Sequence, residues 1–175
     1  MTIVYRDATA NDAAALAAFA ARTFVDTFGH LYPPEALSAF ITAKYGPDIQ
    51  ARELADHATR YRLALRDDVI VGYCMMGVVD MAVDAVDALE LHRLYVDKDV
   101  KGAGVAQRLM DDCLAWARSK GAKLLYLSVW EENHRAQAFY KRFGFEHVGE
   151  HKFMVGRTAD RDFIWRLKLS GARES

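Results

Sequence analysis

Apolar positions follow three rhythms along this chain, and each rhythm predicts a different kind of element. Residues 3–6 alternate with period two, as a short half-buried strand does. Leu16, Phe19, Ala20, Thr23, Phe24 and Phe28 then recur at three- and four-residue steps, which puts them on one side of a helix. Thr9 and Asp12 have the spacing of a capping box ahead of that helix, and Gly29 punctuates its end. Pro33-Pro34 and Pro47-Asp48 open two further short helices, the first bearing Leu37, Phe40 and Ile41, the second running to Leu54. Residues 60–66 and 69–79 form an antiparallel pair turned at Asp67-Asp68, and the acidic stretch 80–87 is a loop. Leu89, Leu91, Leu94 and Val96 mark a largely buried strand. Val105, Leu109, Cys113 and Trp116, widened by Ala106, Met110 and Leu114, mark an amphipathic helix. The third rhythm is continuous: residues 123–130 contain LLYLSV, which suits a parallel strand covered on both faces. Strand, helix and strand there make a right-handed crossover. Residues 131–135 are a loop, 136–143 a short helix closed by Gly144, and 145–155 and 162–169 the last two strands.

No linker, repeat or low-complexity stretch interrupts this pattern, so residues 1–175 read as one α/β domain, long enough to bury roughly 70% of its unfolded surface. The formal net charge of −1 leaves no basic footprint for nucleic acid and no polybasic patch for a membrane. No apolar run approaches the ~20 residues of a transmembrane helix, and the chain begins without a cationic head and apolar core. Cys74 and Cys113 sit in apolar patterns and read as small core residues, not as a disulfide framework. The six histidines pair with no Cys or carboxylate at metal-ligand spacing, so no metal is expected. A cytoplasmic protein is the expectation.

The stretch 89–114 organises the rest. Lys101-Gly102-Ala103-Gly104-Val105-Ala106 stands where the helix begins, and glycines there let the backbone turn sharply and offer bare N–H groups to a shared anion. A P-loop needs Lys-Ser or Lys-Thr after the second glycine, whereas Val105-Ala106 follows. A dinucleotide fingerprint needs a small residue at Gln107 and an acidic ribose ligand about 20 residues on, where Leu124 and Leu125 lie in an apolar run. What remains resembles the R/Q-x-x-G-x-G/A segment of the GNAT superfamily of acyl-CoA-dependent N-acyltransferases. Gly104 and Ala106 match it, and Lys101 replaces its Arg or Gln. A second stretch, SVWEENHRAQAFYKRFGF over 128–145, resembles that superfamily's strand end, Asn, and helix with Phe-Tyr before Gly-Phe. ELHRLYV, the tail HKFMVGRTADRDFIWRLKL and RTFVDTF extend the likeness to the PaiA-type polyamine N-acetyltransferases.

The resemblance implies a mixed central sheet of about 6–7 strands flanked by helices, with a splayed parallel pair that admits acetyl-CoA as the acyl donor. Leu94, Tyr95 and Val96 would offer backbone groups to the thioester carbonyl and pantetheine amides. Lys101, Gly102, Ala103, Gly104, Val105 and Ala106 would hold the pyrophosphate. Asn133 would bond the pantetheine arm, and Tyr140 would protonate the departing thiolate. Glu90 matches a position used for a base acting through water. Its other readings are a solvated strand-edge carboxylate or a partner of Arg93. His92 shares its nominal face and is the rival base, standing where the PaiA-type sequences carry an acidic residue. Transfer would be direct, from thioester to a primary amine such as spermidine or spermine, with Cys113 a poor nucleophile. Acids available to a cationic acceptor are Glu90, Glu131, Glu132, Asp26, Asp80, Asp84 and Asp87, and the aromatics Phe24, Phe28, Tyr32, Phe40 and Tyr45 form either a packing seam or the pocket wall. Another small amine, a protein N-terminus, or a non-catalytic acyl-CoA-binding module stays open as an alternative, and a homodimer is allowed but not required.

Overall fold

Seven strands and five α-helices carry residues 2–169, the part of the chain that the computed structural model describes. In chain order they are β1 (Ile3–Asp7), α1 (Ala13–Phe28), α2 (Pro34–Tyr45), α3 (Pro47–Ala55), β2 (Arg60–Arg66), β3 (Val69–Gly77), β4 (Ala88–Val96), α4 (Val105–Ser119), β5 (Leu124–Trp130), α5 (His134–Arg142), β6 (Glu146–Val155) and β7 (Thr158–Lys168). Residue 1 and residues 170–175 of the expected domain lie outside the described residues. Local chemistry sets most of these boundaries. Asp12 Oδ2 accepts the Thr9 backbone N–H at 2.7 Å, and the pair closes a 3₁₀ turn from which α1 continues. Pro34 and Pro47 stand in the first turn of α2 and α3, where a missing N–H costs nothing. Asp67 and Asp68 both take positive φ, 52° and 63°, the conformation a two-residue hairpin between twisted strands requires.

The sheet order is β1-β2-β3-β4-β5-β7-β6, and β4–β5 is the parallel pair in an otherwise antiparallel sheet. This is the mixed sheet with helices on both faces that the sequence led us to expect. On one face the apolar stripe of α4 (Val105, Leu109, Cys113) and the aromatic side of α5 cover Cys74, Met76, Leu125 and Leu127. On the other, α1, α2 and α3 cover Leu63, Tyr73 and Val155 with Leu16, Phe24 and Tyr45. Full burial of each such Leu, Val or Phe contributes about 1.5–3 kcal/mol, so both faces are fixed to their helices by several anchors. The last strand starts at Thr158 instead of Asp162, which brings Asp160 into the sheet and sets Asp162 inside the strand instead of at its first position. No helix among the described residues is long and apolar enough to cross a membrane.

Candidate active site

The parallel ladder between β4 and β5 is short. It runs from Ala88↔Leu124 to Glu90↔Tyr126 and stops. Beyond it β4 stays bonded to β3 as far as Val96↔Gly72, while β5 follows β7 to Trp130↔Asp162, so the two strands part company. The cause is a bulge. Met75 pairs with Arg93 and Met76 with Leu91, which leaves His92 as an extra residue on β4. An extra residue bends and twists its strand. The edge of β4 turned toward β5 is thereby left with backbone N–H and C=O groups that need partners, those of Leu94 and Val96, while Tyr95 between them turns its own to Tyr73 of β3.

At the end of β4 a 3₁₀ turn, Lys98–Val100, feeds residues 101–104 into α4. Gly102 and Gly104 have φ of 87° and 79°, where an L side chain is strained, and the side on which a Cβ would stand holds no atom within 4 Å at either. Gly104 is the N-cap of the 15-residue α4 and has no side chain to cap it, so the first-turn amides at Val105 and Ala106 are left for an external acceptor. An open surface of amides at a helix N-terminus fits a pyrophosphate. Arg22 on α1 braces the turn through Asp97 at 3.0 Å.

Between the parted strands lies a cavity of about 450 Å³. Tyr140 of α5 borders it, 9% exposed, with its ring edge-on to Phe139 and Phe145 at 5.5 and 5.9 Å. Among the described residues nothing hydrogen-bonds its hydroxyl, and burial pushes its pKa up, so it is a neutral proton donor across the physiological range. Asn133 borders the cavity too and caps α5, its Oδ1 accepting the Ala136 N–H at 3.2 Å, which leaves its NH₂ available. Gln137 was not foreseen from the sequence. Its Nε2 donates to the carbonyls of Trp130 and Glu131 at 3.2 and 2.8 Å and ties α5 to the free end of β5. Cys74 and Cys113 are buried in the same core cluster as Tyr140, and burial lifts the Cys74 thiol to about 12.

Glu90 is 6% exposed and works as half of a pair. Its Oε1 accepts the Asp80 N–H at 3.0 Å, and its Oε2 meets His92 Nδ1 at 2.7 Å. His92 Nε2 lies 2.8 Å from the Val78 carbonyl. With an acceptor beside each nitrogen, the surroundings favour the protonated ring. Burial opposes that charge, but the Glu90 hydrogen bond and charge and the Val78 carbonyl together outweigh it and raise the pKa. Arg93 is taken elsewhere, by Glu53 at 3.5 Å, the Tyr61 hydroxyl at 3.1 Å and the Tyr45 ring at 4.7 Å.

Of the loop and surface acids counted from the sequence, Asp80 borders the cavity. Glu131 pairs with Arg161, Asp26 with Arg22, Asp87 with Lys123, and Glu132 with His134. The acids that do border it on the far side are Asp160 and Asp162 of β7; sequence reasoning began that strand at Asp162, left Asp160 in a loop and gave neither acid a place in the pocket. The aromatic residues serve both expected purposes. Phe24 packs on Phe40 and Phe28 at 4.9 and 5.2 Å, and the same rings wall the cavity.

The model of the acetyltransferase (GNAT) family matches residues 19–145. An uncharacterized N-acetyltransferase of Mycobacterium tuberculosis (strain H37Rv) is 35% identical over 158 residues, 90% of this chain and 98% of that one. An uncharacterized N-acetyltransferase in the pepI 3′ region of Lactobacillus delbrueckii subsp. lactis is 29% identical over 154 residues, 87% of this chain and 89% of that one. Among solved structures, the PaiA N-acetyltransferase of Thermoplasma acidophilum, in complex with coenzyme A, superposes with a TM-score of 0.78 at 21% identity, covering 96% of this chain and 99% of that one.

Proposed function

The chain belongs to the GNAT family and is an N-acetyltransferase that uses acetyl-CoA, and on that premise we propose that its acceptor is a polyamine such as spermidine or spermine. One observation carries this reading. The opened β4–β5 edge leads into a cavity bordered by five carboxylates, Glu53, Asp80, Glu90, Asp160 and Asp162, against two permanent cations, Lys44 and Arg93. Such a lining favours a polycationic acceptor and disfavours an anionic one.

In the proposed mechanism the chain's own groups divide the work. The amides of Gly102 to Ala106, with Lys101, hold the pyrophosphate of the donor. The unpaired edge at Leu94 and Val96, on either side of Tyr95, and the Asn133 amide align the thioester, in effect adding a strand where β5 has left. Glu90 takes a proton from the acceptor ammonium, through water, and His92 is the positioning residue that holds the carboxylate. The freed nitrogen attacks the thioester carbon, the N–C bond forms as the C–S bond breaks, the departing sulfur takes its proton from the Tyr140 hydroxyl, and the proton shed by the acylated nitrogen returns to the Tyr140 oxygen through solvent. No group of the chain is acylated on the way.

The test is thiol release from acetyl-CoA with spermidine as acceptor, followed by mass spectrometry of the amine. Thiol release matched by monoacetylated spermidine is the expected result. Binding of coenzyme A with no acetylated polyamine would overturn the polyamine reading and leave the family membership intact.

A further inference from the structure

One carboxylate in the cavity is given no task by the transfer chemistry. Asp162 is 8% exposed, and among the described residues no hydrogen-bond donor and no cation reaches it. Of the other charges on the lining, Glu90 is taken by His92, Glu53 by Arg93 and Asp160 by the Tyr32 hydroxyl, while Asp80 and Lys44 are exposed to solvent. A carboxylate this far buried with no protein donor keeps only the hydration that the cavity allows. Here burial, and then the charge of Asp160, push it up to about 7.

The neighbours of Asp162 suit an ammonium. It stands opposite Trp130 on β5 and His151 on β6, and Asp160 stands opposite Phe153. Directly paired residues on one sheet face have Cβ atoms about 4.5–5.5 Å apart, so these side chains are gathered into one patch. The Nε2 of His151 is itself buried without a partner. Phe28 packs edge-on to Trp130 at 6.1 Å, and Tyr32 lies parallel to Phe24 at 6.4 Å, which supplies aromatic rings around the acids. Two carboxylates, an imidazole and ring faces are the chemistry that recognises an organic cation: charge, several hydrogen-bond acceptors, and cation–π attraction.

Position separates this patch from the reacting centre. Glu90 is level with Tyr126 of β5, whereas Asp162 is level with Trp130. Four residues along β5 and two strand spacings across put the two sites about 13 Å apart along the strand and about 10 Å across it.

We propose that Asp162, backed by Asp160 and His151, is the subsite for a second cationic group of the acceptor, remote from the amine that is acetylated. This rests on the acceptor reading above and adds to it a residue and a spacing: a long polyamine is held at both ends.

The experiment compares 1,8-diaminooctane with n-octylamine, which differ by one terminal ammonium. Binding of each to the coenzyme A-loaded protein is measured by calorimetry, and turnover by thiol release, for the wild type and Asp162→Asn. The wild type is expected to prefer the diamine, and the variant to lose at least tenfold of that preference, with the change in KM and not in kcat. An unchanged preference in a variant that still binds coenzyme A would overturn the subsite. So would a fall in kcat at constant KM, which is the mark of a base. If Asp162→Asn does not fold, Asp162→Ser asks the same question. Absence of turnover on any amine would instead tell against the acceptor reading, and the calorimetric comparison would still decide the subsite.

Discussion

The substitution Asp162→Asn keeps the shape of the side chain and removes its charge, and the consequence for stability can be worked through from the fold. In the unfolded chain this carboxyl has a midpoint of 3.8, and in the folded chain burial and Asp160 raise it to about 7. Between those values the native state holds a proton that the unfolded state has lost, so stability falls as pH rises and levels off above about 7. From pH 5 to pH 8 the wild type should lose about 3 kcal/mol from this one group, taking 1.36 kcal/mol per pKa unit. The amide that replaces the carboxyl has nothing to titrate. The variant's stability relative to wild type should therefore improve by about 3 kcal/mol between pH 5 and pH 8, which for a chain of this size is about 6–12 °C in Tm. Thermal melts of both proteins without ligand, at the two pH values and constant salt, measure it. A difference between the two proteins that is the same at pH 5 and pH 8 would show that Asp162 is neither buried nor unpartnered in solution, and would refute the reasoning.

Other residues make separable predictions. Tyr140→Phe deletes the proton donor and keeps the ring, so turnover should fall about 10²–10⁴-fold with acetyl-CoA affinity retained; near-normal turnover would assign the proton to water. Gly104→Val puts a branched side chain on the open face of a left-handed residue, and coenzyme A affinity should drop at least tenfold, about 1.4 kcal/mol, by calorimetry on the folded variant. Glu90→Gln should move the ascending limb of the pH–rate profile upward, since free amine then comes only from solution; an unchanged limb would take the base role from Glu90. His92→Gln removes stabilisation that is complete below about pH 6.5 and fades as pH rises through the ring's raised value, so its Tm deficit should be larger at pH 6 than at pH 9.

The strand, glycine turn and helix at 89–119 could be read from the sequence because each follows from a local rule: apolar period, positive-φ glycines, helical stripe. The bulge was written there too, though less plainly. Leu89, Leu91, Leu94 and Val96 step by two, three and two, and the three-residue step spans the extra residue at His92. The coupling of Glu90 to His92 was not legible. Alternation puts the two on one face, but only the bulged backbone brings their side chains to 2.7 Å. Asp160 and Asp162 were hidden for a different reason. Asp160 falls in GRTADR, a polar segment between two strands with the composition of a loop, and Asp162 opens the expected strand, but acids are rarely buried. The sheet overrides that composition, because β7 is bonded on both sides, to β5 and to β6, so its polar residues are carried into the cavity wall.

The central claim is that acetyl transfer here selects an amine by the charge at its far end. It is tested most directly by kcat/KM for three acceptors of equal length, 1,8-diaminooctane, n-octylamine and 8-aminooctanoate, with acetyl-CoA held constant at low salt. The predicted order is the diamine first, the monoamine second and the amino acid last, with the gaps narrowing as salt is raised. Equal values for the three, or a preference for the carboxylate-bearing amine, would contradict it.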